Sequence, residues 1–146
     1  MDAICPSRTA PHPGGSVRGA RRPLVAVVED DPAVVNSLEF ALGTEGYRVV
    51  AVLSGEAYLT SAAVGVDCLV VDFRLPGMNG IQLLEELTRR GPVPPHILIA
   101  SNPGRKCREW AAARAVPLVE KPLLDEALTE RIRAAVHLSR TRIGGA

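Results

Sequence analysis

Lysine is nearly absent: Lys106 and Lys121 are the only two among 17 basic residues, and aromatic residues make up 3% of the chain. The formal net charge of +1 offers no overall attraction to a nucleic acid or a membrane surface, so neither is expected as a partner. No apolar run reaches the roughly 18 residues a membrane-spanning helix needs. The opening "MDAICPSRTAPHPGGSVRGARRP" lacks the continuous apolar core of a signal peptide. Three cysteines, Cys5, Cys68 and Cys107, are odd in number and lack metal-ligand spacing. Cys68 lies in an apolar run and reads as a buried, inert thiol, a pattern that fits a reducing cytoplasm. There is no G-x-x-x-x-G-K-[ST], and Gly14, Gly15 and Gly19 follow no predicted strand, so a nucleotide cradle is not expected.

What is present is one domain's worth of chain, 146 residues with 47% apolar and 23% charged side chains. Residues 1–22 carry Pro, Gly, Ser and Arg with no hydrophobic period and read as a disordered, mildly basic arm. A globular domain is expected over 23–138 and a flexible tail over 139–146. "LVAVVE" (24–29) is a continuous apolar run ending in an acid, as in a strand covered on both faces. Asp31-Pro32 supplies an N-cap and a first-turn proline, and Val34, Leu38 and Leu42 recur at helical spacing up to Gly43 or Gly46. "YRVVAV" (47–52) is a second strand, Ser54 caps a short helix to about Ala63, and "DCLVVD" (67–72) is a third strand. Asn79 caps a helix with Ile81, Leu84 and Leu87 on one face that ends at Arg89–Gly91. "HILIAS" (96–101) is a fourth strand, and Asn102-Pro103 resembles another cap and first-turn pair. "VPLVE" (116–120) is a fifth strand, and a last helix from about Asp125 carries Leu128, Ile132, Ala135 and Val136.

This alternation predicts an α/β fold, a doubly wound parallel sheet of five strands with helices on both faces. In such sheets ligands sit beyond the carboxyl ends of the strands. Those ends carry Glu29–Asp30, Asp72, Ser101 and Glu120–Lys121. Each has an ordinary explanation taken singly: Asp31 as a helix cap, Glu29 as a solvated strand-end acid, Ser101 as a turn residue, Lys121 as one half of a surface ion pair. Gathered at one edge, the carboxylates of Glu29, Asp30 and Asp72 repel and call for a counter-charge. Oxygen ligands without histidine or cysteine point to a hard cation such as Mg²⁺ rather than zinc. A lysine and a hydroxyl beside the metal can share the oxygens of a phosphoryl group, which would make Asp72 a phosphoryl-accepting nucleophile.

These residues resemble the receiver domain of bacterial two-component response regulators, over about Leu24 to Val136, and the fold is similar to the flavodoxin-like (βα)5 receiver. "VVEDDP" looks like the family's acidic pair, which implies Glu29 and Asp30 as metal ligands. "VVDFRLPGMNG" looks like its phosphoacceptor motif, which implies Asp72 as the phosphorylated residue and the Arg74 backbone carbonyl as a further metal ligand. "ILIAS" places Ser101 at the family's hydroxyl position, and "VEKPL" places Lys121 at its lysine, before a proline whose bond is often cis. The resemblance implies a cytoplasmic, Mg²⁺-dependent switch rather than an enzyme. A sensor histidine kinase or phosphotransfer protein would load it, a downstream protein would read it, and a homodimer is allowed. Two positions depart from the pattern: Leu118 replaces the usual Tyr or Phe, and Asn102 the usual Ala or Gly. The first removes an aromatic rotamer switch, and the second is expected to narrow access to Asp72. The short segment between Ser101 and Lys121 implies a reduced or irregular fourth helix. About ten residues follow the last helix, so the expectation is a stand-alone receiver acting through protein contacts. One rival is a receiver that only binds partners. Another is an aspartyl-phosphate phosphatase of the haloacid-dehalogenase type, which "EDDPA" does not match.

Overall fold

The computed structural model describes residues 21–61, 63–123 and 126–145. The expected basic arm, apart from Arg21 and Arg22, and the expected helix start at Asp125 lie outside those residues. Five strands alternate with five helices: β1 Leu24–Val28, α1 Pro32–Thr44, β2 Arg48–Val52, α2 Gly55–Thr60, β3 Cys68–Asp72, α3 Gly80–Arg90, β4 His96–Ala100, α4 Arg105–Ala113, β5 Leu118–Glu120 and α5 Ala127–Gly145. The strands form one parallel sheet in the order β2-β1-β3-β4-β5. This is the expected five-stranded, doubly wound, flavodoxin-like (βα)5 fold.

Side chains on a strand alternate between faces, so each central strand feeds two cores. Val25, Val27, Val70, Ile97 and Ile99 pack with Leu38 and Leu42 of α1 and Leu128, Ile132 and Val136 of α5. Ala26, Val28, Leu69, Val71 and Leu98 pack on the opposite face with Leu83 and Leu84 of α3 and Cys107 and Ala111 of α4. Cys68 is fully buried, and that burial pushes its thiol up to about 12, so it is inert at neutral pH.

Local chemistry sets most of the helix starts. Asp31 accepts the Ala33 N–H at 3.0 Å with Pro32 in the first turn, and Ser54 accepts the Ala57 N–H at 3.0 Å. Asn79 and Gln82 form a reciprocal capping box. The fourth helix departs from expectation. Asn102 has φ +45, a left-handed conformation asparagine tolerates, so the chain turns there instead of capping. α4 starts two residues beyond Pro103, with Gly104 as an N-cap that has no side-chain bond, and forms nine regular residues.

Other boundaries also shift. α2 stops at Thr60, before the expected Ala63, because Ser61 is extended and its hydroxyl donates to the Tyr58 carbonyl. β5 begins at Leu118 because the Val116 N–H returns to the Ala111 carbonyl and Pro117 has no N–H to donate. The largest difference is at the end of the chain. Residues 139–145, expected as a flexible tail, continue α5. Asp67 explains this: its carboxylate accepts the Leu24 N–H at 2.9 Å, and its Oδ1 lies 3.3 Å from both the Ser139 hydroxyl and the Arg140 Nε. Among the described residues no helix is long and apolar enough to cross a membrane.

Candidate functional site

The strand order reverses between β1 and β3, and the crevice at their carboxyl ends is where such sheets place a ligand. Parallel register brings the site together. Val28 lies opposite Val71, Asp72 opposite Ile99, and Ala100 opposite Glu120. The residues at or just beyond these positions therefore share one edge. Glu29, just past β1, is 0% exposed, and Asp72, the last residue of β3, is 3% exposed. Asp30 is exposed beside them. Oxygens of these three carboxylates lie within 4.8 Å of one another.

The Lys121 ammonium enters this cluster from just beyond β5. It stands 3.0 Å from Glu29 Oε1 and 3.3 Å from Asp72 Oδ2. Burial works against the ammonium, but hydrogen bonding and charge from Glu29 and Asp72 outweigh it and raise its pKa. Asp72 is pushed up to about 6, first by burial and then by the Glu29 carboxylate, with Lys121 opposing both. One ammonium thus faces three carboxylates, and the balance is negative.

The donor set of the cluster suits a hard dication. Glu29 Oε2 accepts the Asp31 N–H at 3.1 Å. Its buried Oε1 has the Lys121 ammonium at 3.0 Å as its partner, and a carboxylate oxygen has lone-pair capacity beyond one such contact. The donors are all oxygens, with no histidine or cysteine among them, a set that fits Mg²⁺ rather than zinc.

The loop after Asp72 is pressed onto the strand end. The Phe73 N–H donates to the Ile99 carbonyl, and the Gly80 N–H to the Phe73 carbonyl, each at 2.8 Å. A Cβ on Gly80 would sit 2.4 Å from the Asp72 carbonyl oxygen, so this close approach needs glycine. Arg74 is exposed on the loop and lines, with Asp30, Phe73, Leu75, Pro76 and Asn79, an open cleft of about 500 Å³.

Ser101 follows β4 at the same edge and is exposed. Asn102 beside it is also exposed. Glu120 turns away and pairs with Arg108 at 2.6 Å. Leu118 is half-buried and packs into the core shared with α3 and α4. The Lys121-Pro122 bond is cis. Glu56 escaped the sequence reading: its carboxylate accepts the Met78 N–H at 3.1 Å, from 22 residues away. Only its place in "SGEAYL" marked it, and that stretch reads as an ordinary helix start.

Comparison with known proteins bears on the family and the fold. The family model described as the response regulator receiver domain matches residues 25–133. The transcriptional regulatory protein FixJ of Bradyrhizobium diazoefficiens is 32% identical over 114 residues, covering 77% of this chain and 56% of that protein. FixJ of Azorhizobium caulinodans is 36% identical over 118 residues, covering 77% of this chain and 54% of that protein. The chain thus spans about half the length of these curated relatives. A CheY-like response regulator receiver domain protein from Methanospirillum hungatei aligns with a TM-score of 0.75 at 21% identity, over 84% of this chain and 99% of that one.

Proposed function

Because the chain belongs to the response regulator receiver domain family, we propose that it is a phosphoacceptor switch whose Asp72 takes a phosphoryl group from a histidine kinase or phosphotransfer protein. The supporting observation is the Lys121 ammonium, 3.0 Å from Glu29 and 3.3 Å from Asp72 inside an all-oxygen acidic cluster.

In this reading an Asp72 carboxylate oxygen attacks the phosphorus of a phosphohistidine. The new O–P bond forms as the N–P bond breaks, and the imidazole leaves with the electron pair. With a pKa of about 6, Asp72 is mostly ionised at neutral pH and able to attack. Lys121 offsets the negative charge around Asp72 and can meet the phosphoryl oxygens. Ser101 offers a hydroxyl from the neighbouring strand end. Glu29, Asp30, Asp72 and the Arg74 carbonyl would hold Mg²⁺, which supplies positive charge to those oxygens when bound. Water later cleaves the acyl phosphate, so the chain resets rather than turning over an external substrate. The output is a protein contact in the cytoplasm. Half-buried Leu118 cannot act as an aromatic toggle, so the signal uses other side chains.

Incubation with Mg²⁺ and acetyl phosphate should raise the intact mass by one phosphoryl group, and Asp72→Asn should abolish the increase. An unchanged wild-type mass in donor excess would leave a module that only binds partners.

A further inference from the structure

The loop bearing Arg74 is held at its apex by α2. Glu56 lies in the first turn of α2, and its Oε2 accepts the Met78 N–H at 3.1 Å. The same carboxylate lies against Gly77, where a Cβ would sit 2.6 Å from Oε2 and 3.0 Å from Oε1. Gly77 has φ +74, so it makes the left-handed turn and also leaves space for the carboxylate. The next residue, Met78, rests its side chain on α2: a Cβ on Gly55 would come 2.8 Å from Met78 Cγ. Ser54 already caps α2 through the Ala57 N–H, so Glu56 is free of that task.

We infer that Glu56 is a positioning residue for the Asp72 site: through the Met78 amide it holds the loop apex, and with it the Arg74 carbonyl, beside the acidic cluster. This rests on the receiver reading given above. The Phe73 N–H fixes one end of the loop to β4, and the Gly80 N–H closes the other end onto the Phe73 carbonyl. Between them the Glu56 carboxylate ties the apex with a charge-assisted hydrogen bond. A ligand carried on a loop keeps its geometry only if the loop is supported, and small displacements cost affinity and rate.

The test compares wild type, Glu56→Ala and Glu56→Gln. Three quantities are read: exchange of the Met78 amide in the metal-free protein, Mg²⁺ affinity by calorimetric titration, and the rate of phosphorylation by acetyl phosphate. Glu56→Ala should speed Met78 exchange and weaken both Mg²⁺ affinity and rate about three- to tenfold, the loss of one modest hydrogen bond. Its thermal midpoint should stay near that of wild type. Glu56→Gln keeps a carbonyl acceptor for Met78 and should recover most of both losses. Unchanged Mg²⁺ affinity in Glu56→Ala overturns the inference. So does Glu56→Gln as impaired as Glu56→Ala, because charge rather than positioning would then be responsible. If wild type takes no phosphoryl group the phosphoacceptor reading fails, while Met78 exchange and Mg²⁺ affinity still decide the role of Glu56.

Discussion

Replacing Asp72 with asparagine should make the metal-free protein more stable, although it removes the proposed nucleophile. The reason lies in the balance around that carboxylate. It is 3% exposed and faces the Glu29 carboxylate, and its pKa rises from 3.8 to about 6 despite Lys121. A group whose pKa is higher in the folded state binds more protons there than in the unfolded chain. Its contribution to stability is complete below pH 3.8 and is lost as pH rises through about 6. At neutral pH the ionised form carries a penalty of about 3 kcal/mol, from 1.36 kcal/mol per pH unit. The titration is shared with Glu29 and Lys121, so the part that belongs to Asp72 alone is about 1–2 kcal/mol. Asp72→Asn removes the charge and keeps the shape, and Lys121 still has Glu29 at 3.0 Å. The variant should therefore melt about 2–8 °C above wild type at pH 7 in chelator. The gap should close below pH 4, where Asp72 is protonated in both states. Mg²⁺ should narrow the gap from the other side. At ten times its dissociation constant it stabilises the binding form by about 1.4 kcal/mol, and the variant should gain less. A metal-free Asp72→Asn protein less stable than wild type at pH 7 would refute this electrostatic reasoning.

Further predictions concern the contacts around that site and the end of α5. Lys121→Ala should cost about 2–4 kcal/mol at pH 7, because Glu29 and Asp72 are left buried without their cation; added Mg²⁺ should restore part of it, and denaturant titration with and without the metal checks this. Gly80→Ala should cost about 3 kcal/mol, since the new Cβ would press on the Asp72 carbonyl at 2.4 Å; the urea midpoint is the readout. Asp67→Ala should cost about 1–3 kcal/mol and release α5 beyond Val136, seen as faster amide exchange from Ser139 onward with the central sheet unchanged.

The sheet was legible because each central strand is an unbroken apolar run between turn residues, and Asp31, Ser54 and Asn79 mark helix starts by local chemistry alone. The site was legible one step further on. Once the strands are parallel, the residues at their carboxyl ends must meet, and Glu29, Asp30, Asp72 and Lys121 do. The rest depends on partners remote in the chain. Asp67 reads as the first residue of a strand, yet it fastens α5 from 72 residues away. Glu56 reads as a helix-start acid, yet it holds the apex of the β3–α3 loop. Asn102 fits a capping pattern, but its backbone takes the other conformation asparagine permits.

The central claim is that this edge of the sheet carries a phosphoryl group on a carboxylate. The direct measurement is hydroxylamine treatment of chain phosphorylated by acetyl phosphate and Mg²⁺, followed by peptide mapping. An acyl phosphate at Asp72 predicts complete loss of the phosphoryl group and a hydroxamate on the peptide containing Asp72. A phosphoryl group that survives hydroxylamine, or maps to any other residue, would contradict it.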